Sequence, residues 1–597
     1  MVKYLVSVLL LSTSILAHAI DYYISQSSGN DNNNGLSSLS PFQSLTRVNS
    51  LSLSAGDSVL FKSGERWEGM LWPKGSGTSN APITVSVYGS GTKPIIDGDG
   101  YQASILLFND EHYVISGLEL TNQASHSSNG VTKKLGGFGN CENSWGSGRD
   151  ARFGIKVVAS NRSLEQFTFS DLAIHNIFPT PDNPEGVGTS CTMQGHNTIL
   201  KNQGYGIKIE SQSNASANNF FTISDIVMDN ITVSQTGHYG VWIKPRGGSA
   251  TALYKHDNIT VRNSLFLNTG GAGFVPTRAS NVLVENNTFD GTGASLDPRM
   301  YGRGSGTWPF DSDNVVIQNN VLMNAKGSLD SYGVHIDYNN TNVLVQYNFS
   351  YNNEGGFAQI LGANVNSGYR YNISVADGSR VKGVNGATAD GRIINVSSYC
   401  NNGEGCPSTG SFIYNNTIYV PSSISPKITF QRVSGEIQFY NNLIYVQQGG
   451  SPIQTFLSNQ GVQYDIGNNL FYPQSVFNLD QRLTNNALYT DPKLQQPGAD
   501  WASRYKLLSG SSAKNAGAVI AGSFDALNYG QNNGGVDFFG YAVSDSLPPH
   551  VGAYNANEML AAYSETIEVP ILTFPLSSLL AGILMTIAAR HKKDYQS

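Results

Sequence analysis

The stretches ENNTFD (285–290), QNNVLM (318–323), YNNTIY (414–419) and YNNLIY (440–445) repeat one phrase, in which asparagine precedes a short apolar run. The asparagine of this phrase recurs through the middle of the chain at Asn230, Asn263, Asn287, Asn320, Asn348, Asn372, Asn416, Asn442 and Asn469. Successive members are 24 to 33 residues apart, except for one interval of 44. An interval that varies in this way predicts short constant strands joined by loops of variable length.

Each repeat has two or three short alternating strands separated by Asn or Gly turns, and a unit this small cannot bury a face alone. The repeats must therefore stack. Period-2, β-branched strands exclude a helical solenoid, and the missing leucine lattice excludes leucine-rich repeats. The sequence predicts an all-β parallel β-helix in which equivalent residues lie about 4.8 Å apart. The repeated Asn would adopt a left-handed backbone conformation and hydrogen-bond its counterparts above and below.

The composition supports a β-rich chain with a large core. Of 597 residues, 64 are Gly and 30 are Tyr, 40% are hydrophobic and only 13% are charged. Such a chain holds enough apolar side chains to fold as an extended single body. The net charge of −7 is mild for this length and is spread widely, which argues against nucleic acid as a partner.

The sequence predicts a targeting segment at each end of the chain. Residues 1–19, MVKYLVSVLLLSTSILAHA, have the basic start, apolar run and Ala-His-Ala site of a signal peptide. Residues 569–589, VPILTFPLSSLLAGILMTIAA, form an uncharged apolar run before Arg590, His591, Lys592 and Lys593, which predicts a transmembrane helix with a basic end. We therefore expect export to the cell envelope or surface, with the protein membrane-tethered or released after processing.

The C-terminal tail resembles the sorting segments of PEP-CTERM type, with Val569 and Pro570 in the motif position, although the Pro-Glu-Pro itself is absent. The resemblance implies a sorting protease as a partner. The predicted organisation is a signal peptide (1–19), an N-terminal cap with first coils (20–110), a β-helix with a closing cap (111–555), a linker (556–568) and the transmembrane or sorting segment (569–597).

Export places the four cysteines in an oxidising compartment. We expect Cys141 to pair with Cys191 and Cys400 with Cys406, among three possible connectivities, and none has metal-ligand spacing.

The segments 21–51 and AGDSVLFKSGERWEG (55–69) resemble the N-terminal cap of the right-handed parallel β-helix proteins of the pectate-lyase-like superfamily. Near the end, YTDPKL (489–494), DFFG (537–540) and VGAY (551–554) resemble the final coils and closing cap of that family. The resemblance covers most of the mature chain and implies a right-handed solenoid. These motifs specify architecture and leave the reaction open.

Aligning the strands on the Gly that follows each turn makes the coils comparable. Residues one and three positions beyond that Gly should point inward, and those two and four positions beyond it outward. The alignment uses Gly154, Gly206, Gly240, Gly273, Gly306, Gly333 and Gly356. The outward stripe then contains Lys208, Glu210, Trp242, Lys244, Trp308, His335 and Asp337, with Arg278 and Asp311 one position further along. On the last strand, Phe357 and Gln359 should point inward and Ala358 and Ile360 outward.

Tryptophans beside charged groups on an outer face predict a glycan-binding groove, because sugar rings stack on indoles and hydrogen-bond to polar groups. The expected substrate-binding residues are Trp242, Trp308, Arg246, Lys208 and Glu210. The alternative is a solvated face whose tryptophans are covered by neighbouring loops.

The chemistry of such a groove could be β-elimination of a uronate, which needs a base for the C5 proton and a cation or donor at the neighbouring carboxylate. Lys244 is one candidate base, with its pKa lowered by Arg246 or Arg278, and His335 is the competing base. Ca²⁺ could neutralise the substrate carboxylate. Its candidate ligands are Asp311, Asp313, Asp337 and Glu354.

Hydrolysis would instead need two carboxyl groups roughly 5 to 9.5 Å apart, and the pairs Asp311 with Asp337 or Asp330 with Asp337 are candidates. Residues 330–357 resemble a stretch common in β-helix carbohydrate-active proteins, in many of which an acid stands at the place of His335. This departure weighs against a direct carry-over of a hydrolytic mechanism.

The sequence therefore favours a polysaccharide lyase acting on a uronate-containing glycan. Its candidate catalytic residues are Lys244, His335, Asp337, Asp311 and Arg278. The alternatives are a glycoside hydrolase on the same scaffold and a non-catalytic glycan-binding or envelope protein.

Overall fold

A computed structural model describes residues 19–99, 101–123, 151–178, 203–212, 220–246, 254–400, 403–431, 435–459, 462–520 and 534–556, and every structural statement below refers to these residues. One short helix, α1 (Leu45–Asn49), and 3-10 turns at Gln474–Val476, Gln481–Thr484 and Ala502–Tyr505 accompany the strands. The strands of the described residues are β1 (Asp21–Ile24), β2 (Ser58–Lys62), β3 (Arg66–Glu68), β4 (Ile83–Tyr88), β5 (Ile95–Asp97), β6 (Ala103–Phe108), β7 (Tyr113–Ser116), β8 (Glu119–Gln123), β9 (Arg152–Ala159), β10 (Leu164–Ser170), β11 (Ala173–Phe178), β12 (Gly204–Gln212), β13 (Ile223–Asp229), β14 (Thr232–Thr236), β15 (Val241–Arg246), β16 (His256–Arg262), β17 (Leu265–Leu267), β18 (Phe274–Pro276), β19 (Ala279–Glu285), β20 (Thr288–Asp290), β21 (Asp313–Gln318), β22 (Val321–Met323), β23 (Thr341–Gln346), β24 (Phe349–Tyr351), β25 (Gly356–Ile360), β26 (Gly368–Arg370), β27 (Ile373–Val375), β28 (Arg392–Ser397), β29 (Tyr399–Cys400), β30 (Gly403–Glu404), β31 (Ser411–Tyr414), β32 (Thr417–Val420), β33 (Lys427–Gln431), β34 (Gly435–Tyr440), β35 (Leu443–Val446), β36 (Ile453–Leu457), β37 (Val462–Gly467), β38 (Leu470–Tyr472) and β39 (Phe477–Asn478).

Parallel pairing between successive coils builds three faces of a β-helix solenoid. The first face is β1-β2-β4-β7-β10-β13-β16-β19-β21-β23-β26-β31-β34-β37, and the second is β3-β5-β8-β11-β14-β17-β20-β22-β24-β27-β32-β35-β38. The third face has two sheets, β6-β9-β12-β15-β18 and β25-β28-β33-β36-β39. Parallel bridges Phe274 to Thr307, Thr307 to Val334 and Tyr332 to Gly356 connect these two sheets. The predicted all-β solenoid is confirmed.

The inward side chains of the three faces form one continuous apolar core. On the third face, Ile155, Ile207, Val241 and Phe274 lie in register on adjacent strands and are fully buried. The glycines before them are required by close packing: a Cβ at Gly206 would lie 2.5 Å from the carbonyl oxygen of Gly240. Alignment on these glycines therefore has a steric basis.

The asparagine repeat forms a buried amide ladder that differs from the prediction at two members. Each Nδ2 group donates to Oδ1 of the next coil through Asn287, Asn320, Asn348, Asn372, Asn416, Asn442 and Asn469. Asn230 and Asn263 lie one position earlier, at φ of 55° and 52°, and Ser264 occupies the ladder position. In the buried ladder the left-handed backbone falls on the preceding residue, as at Asn286 and Asn319 with φ of 55°, so the expected left-handed conformation of the ladder asparagines themselves is wrong.

The predicted register fails by one residue at Gly356. That glycine pairs with Tyr332, and Ile336 pairs with Ile360, so Gln359 lies opposite His335. Ala358 and Ile360 are fully buried in the core, whereas the prediction placed them outward. A one-residue slip reverses the side chains of a strand. Here Gly356 occupies the position of Tyr332, one residue before the aligned glycine, and Phe357 takes the place of Gly333.

Residues 1–18 and 569–597, which carry the predicted targeting segments, lie outside the described residues. Cys141 and Cys191 also lie outside them. Within the described part of the chain, no helix has the length and apolar character needed to span a bilayer. Cys400 and Cys406 form the expected disulfide beside the β29–β30 hairpin.

Candidate functional site

The predicted outward stripe lies on the third face. Lys208 pairs with Trp242 and Trp242 with Val275 on adjacent strands. One position beyond the bridge between Thr307 and Val334, the same column continues through Trp308 and His335. The sequence alignment therefore placed both tryptophans and the histidine in one column.

Lys244 and Asp337 occupy the second outward column, with Thr277 and Phe310 between them. Three strand spacings correspond to about 14 Å. Lys244 is therefore too far from His335 or Asp337 for direct proton transfer, and the predicted catalytic residues form two separate groups. The side chain of Arg246 lies outside the described atoms.

An aromatic row connects the two groups, and we define it as Tyr205, Trp242, Tyr239, Trp308 and His335. Trp242 stacks on Tyr205 at 5.5 Å between ring centroids, and Tyr239 contacts Trp242 and Trp308 edge-on at 5.4 and 6.0 Å. His335 then stacks on Trp308 at 5.2 Å. Both tryptophans are half-buried. The row presents partly accessible indoles with fixed orientations.

At the Trp242 end, three charged side chains form a covered cluster. Glu210 lies 3.3 Å from Nζ of Lys156 and 2.8 Å from Nζ of Lys208. Lys208 also lies 4.7 Å from the Trp242 ring centroid. Glu210 points outward as predicted but is only 4% exposed, because Phe153 and Tyr205 pack around the cluster. The expectation that Glu210 lies on an open surface is wrong, and its role in substrate binding stays a prediction.

At the other end, His335 is held from two sides. Its Nδ1 is hydrogen-bonded to the buried Ser305 hydroxyl at 2.9 Å, and its Nε2 lies 3.8 Å from Oδ2 of Asp337. His335 is 3% exposed, whereas the Asp337 side chain is 16% exposed. Asp337 is therefore the accessible member of this pair.

Asp311 and Arg278 form a closed pair on neighbouring coils. Nε of Arg278 donates to Oδ2 of Asp311 at 2.9 Å, and Nδ2 of Asn339 donates to Oδ1 at 2.6 Å. Both carboxylate oxygens of Asp311 are engaged, and its side chain is 8% exposed. This arrangement suits a structural ion pair better than the predicted catalytic role.

The four predicted Ca²⁺ ligands are not brought together. Asp311 is paired with Arg278, Asp313 with Lys255, and Glu354 accepts from the backbone N–H of Gly327. Among the described residues, no group of three or more His, Cys, Asp or Glu side chains is arranged to hold a metal ion. These residues therefore do not fit a bound Ca²⁺ ion.

Asp330, which the sequence indicated only as an alternative partner of Asp337, forms an ion pair with Arg303, which the sequence did not indicate. Nε of Arg303 donates to Oδ2 of Asp330 at 2.7 Å. Burial works against the charged guanidinium, but the adjacent Asp330 raises the pKa of Arg303 overall. Neither residue lies in the outward columns, so column alignment could not find them.

His238 and Tyr301 complete the same region. His238 stacks on Tyr239 at 3.6 Å and contacts Tyr301 edge-on at 4.8 Å. Burial, with smaller contributions from Arg303 and Lys208, lowers the pKa of His238 to about 3. A neutral imidazole therefore underlies the aromatic row. The available sequence signal was the Tyr-Gly pair shared by YGVWIKPR and YGVHIDYN.

Comparison with known proteins supports the fold. Residues 185–373 match the family model described as right handed beta helix region. This range includes the whole aromatic row and agrees with the parallel coils seen here.

A lacto-N-biosidase of Bifidobacterium longum subsp. longum is 26% identical over 457 residues, covering 67% of this chain and 27% of that protein. The chain thus spans about a quarter of that relative's length. The solved GH136 lacto-N-biosidase from Eubacterium ramulus has 20% identity and a TM-score of 0.48, over 74% of this chain and 67% of that one. The complex of XylC with xylose has 13% identity and a TM-score of 0.44, over 89% and 98% of the two chains.

Proposed function

We propose that the protein cleaves a glycan by hydrolysis and that Asp330 and Asp337 are its catalytic carboxyl groups. The observation that carries the proposal is the accessibility of these two carboxylates, of which Asp337 lies beside His335 and Asp330 is held by Arg303. Their side chains are 35% and 16% exposed, whereas that of Asp311 is 8% exposed and fully hydrogen-bonded. Of the acids that the sequence offered as pairs, these two remain able to meet a substrate.

Arg303 fixes the position of Asp330. Its Nε engages Oδ2, and in the described part of the chain Oδ1 of Asp330 accepts no hydrogen bond. One oxygen is therefore oriented and the other is left for the substrate. Asp337 is similarly placed by the backbone N–H of Tyr338, which donates to its Oδ1 at 2.8 Å.

The chemistry needs one protonated and one ionised carboxyl group. The acid gives its proton to the glycosidic oxygen, so that the leaving sugar departs as an alcohol. The carboxylate attacks the anomeric carbon or takes a proton from a water that does so, and the water oxygen finally bonds to that carbon. Trp308 provides a ring face against which the sugar can stack.

Support also comes from similarity. A relative that is 26% identical across two thirds of this chain carries the name lacto-N-biosidase, which denotes a glycan-cleaving enzyme.

A second candidate is the β-elimination favoured by the sequence. Its supporting observation is that Nζ of Lys244 and Nζ of Lys208 lie 4.9 and 4.7 Å from the Trp242 ring centroid. Two ammonium groups at one half-buried indole could bind a uronate carboxylate. A non-catalytic glycan-binding protein is the third possibility, and the same assay separates all three.

The test is an assay of the purified full chain against acidic and neutral glycans. Asp330→Asn and Asp337→Asn should each lower kcat more than about 1,000-fold while glycan binding persists. Asp313→Asn is the matched control, because Asp313 pairs with Lys255 on the first face. Unchanged rates in both Asn variants, with activity lost in Lys244→Gln, would favour elimination. Binding without any product would favour the non-catalytic class.

The two carboxyl roles can be separated in the same variants. Azide should restore turnover to the variant that lacks the nucleophile. A substrate with a good leaving group should restore turnover to the variant that lacks the acid.

We also propose that the protein is exported and held at the cell envelope, as the terminal segments predict. Cell fractionation should find the full chain in the membrane fraction and a chain ending at residue 568 in the soluble exported fraction. Equal distribution of both would count against the C-terminal anchor and against any sorting protease acting on it.

A further inference from the structure

A cavity of about 400 Å³ lies beside Asp330, outside the two columns of the aromatic face. Its volume is within the range of about 300 to 1,000 Å³ typical of small-molecule sites. The lining residues used below are Lys326, Gly327, Ser328, Glu354, Arg380 and Val384.

The cavity wall is joined directly to Asp330. Nη1 of Arg380 donates to the backbone carbonyl of Asp330 at 3.0 Å. Gly327, another lining residue, pairs with Arg303, which holds the Asp330 carboxylate. A sugar seated in the cavity would therefore have a neighbouring glycosidic bond near Asp330.

The charges of the cavity favour an anion. Arg380 donates to the backbone carbonyls of Ala389 and Asp330, and these hydrogen-bond acceptors carry no formal charge. Lys326 is exposed and, within the described residues, forms no ion pair. Glu354 is the opposing charge, but one of its oxygens already accepts the backbone N–H of Gly327 at 2.9 Å. Two cations thus face one partly engaged carboxylate.

The wall that carries Arg380 is a closed loop. Residues 376–391 connect β27 to β28, and the N–H of Gly391 donates to the carbonyl of Arg380 at 2.7 Å, which closes the loop. The loop also exposes Val381 and Val384 at the cavity, at 57% and 53%. Apolar side chains beside cations suit a sugar ring, whose C–H face is apolar and whose substituents are polar.

We propose that this cavity is a subsite for a sugar residue that carries an anionic group, either a carboxylate or a sulfate. Lys326 and Arg380 bind the anion, Ser328 and the neighbouring hydroxyls bind ring oxygens, and Val381 and Val384 contact the ring. The assignment of the adjacent scissile bond rests on the proposed role of Asp330, whereas the binding of the acidic sugar does not.

The test is direct binding, measured by ligand-observed NMR on the purified full chain, with glucuronate, glucose 6-sulfate and glucose as probes. Both acidic sugars, or one of them, should bind more tightly than glucose, and added salt should reduce the preference. Binding of glucuronate alone identifies a carboxylate as the recognised group, and binding of glucose 6-sulfate alone identifies a sulfate.

Three variants localise the binding. Lys326→Gln should lower the affinity for the acidic sugar about fivefold. Glu354→Gln should raise that affinity about threefold by removing the opposing charge. Lys382→Gln is the matched control: this exposed lysine lies on the same loop, does not line the cavity, and should leave binding unchanged.

Equal binding of all three sugars, no binding of any, or equal effects of Lys326→Gln and Lys382→Gln would overturn the subsite. Failure of the hydrolytic proposal has a different signature. In that case Asp330→Asn and Asp337→Asn retain wild-type turnover, or no turnover exists, while the acidic sugar still binds and still responds to Lys326→Gln.

Discussion

The imidazole of His335 lies flat against the indole of Trp308, with ring centroids 5.2 Å apart and planes inclined by 14°. These residues are 27 positions apart in sequence and meet because they occupy equivalent positions on adjacent coils. The stack holds the indole next to His335, whose Nε2 lies 3.8 Å from Oδ2 of Asp337, one of the two carboxylates that we propose as catalytic.

Replacing Trp308 tests its role as a sugar platform. Trp308→Ala should raise KM about three- to tenfold, the equivalent of a lost aromatic stacking contact. Trp308→Phe retains a ring and should recover most of the loss. Steady-state kinetics on a cleaved glycan measures both, and equal KM values for wild type and Trp308→Ala would exclude the platform.

Ser305 should act as a positioning residue for His335. Its buried hydroxyl is hydrogen-bonded to Nδ1 of His335 and accepts the backbone N–H of Tyr332 at 3.1 Å. Ser305→Ala leaves the imidazole free to turn away from Asp337, so kcat should fall about tenfold with little change in KM. Ser305→Thr retains the hydroxyl and is the control. A purely structural role would lower the urea midpoint without this kcat-specific effect.

The buried ladder should contribute strongly to stability. Asn348 donates to the carbonyls of Ile317 and Gln346 and accepts the backbone N–H of Asn320. Asn348→Ala leaves these buried groups unpaired, and the free energy of unfolding should fall by about 4 kcal/mol. Urea denaturation measures the change.

The matched control for the ladder is Asn352→Gly. Asn352 is exposed, has φ of 54° and makes a single amide hydrogen bond to Asn324, so glycine retains the backbone and removes one weak contact. Its cost should be about 1 kcal/mol or less. Equal costs at Asn348 and Asn352 would show that burial of the ladder is unimportant.

Asp377 should make stability depend on pH. Burial raises the pKa of this carboxyl to about 6, against hydrogen bonds from Ser350, Ser374 and Asn353 that act in the opposite direction. The folded state therefore binds the proton more tightly than the unfolded state. The contribution of Asp377 to the free energy of unfolding is fully present below about pH 4. It is lost as pH rises through about 6, by roughly 3 kcal/mol.

Asp377→Asn tests this dependence because the amide is neutral at every pH. The difference in unfolding free energy between the variant and wild type should grow in favour of the variant from pH 4 to about 7. Using the difference removes the contribution of Asp110, whose pKa burial also raises to about 6. A difference that is constant across this pH range would contradict the buried, proton-binding role of Asp377.

Repetition made the solenoid and much of its third face predictable. The glycine alignment placed Trp242, Trp308 and His335 in one column because steric contact between coils requires glycine at those positions. The alignment failed at Gly356, because this glycine pairs with Tyr332 and not with Gly333, which reverses the expected directions of Ala358 and Ile360.

The burial and pairing of the site were not predictable in the same way. Glu210 is covered by rings from other coils, and Arg303 reaches Asp330 from a loop outside the repeat. Alternation indicates only whether a side chain points inward or outward. It does not specify what packs over an outward side chain or which loop supplies an ion partner.

The most direct test of the central claim is mass spectrometry of the products that the full chain releases from a glycan in H₂¹⁸O. Hydrolysis through Asp330 and Asp337 predicts one ¹⁸O atom at each new reducing end and no product absorbing at 235 nm. Unlabelled fragments with an unsaturated, 235 nm-absorbing end would show elimination and contradict the account, as would cleavage that persists at the wild-type rate in both Asp330→Asn and Asp337→Asn.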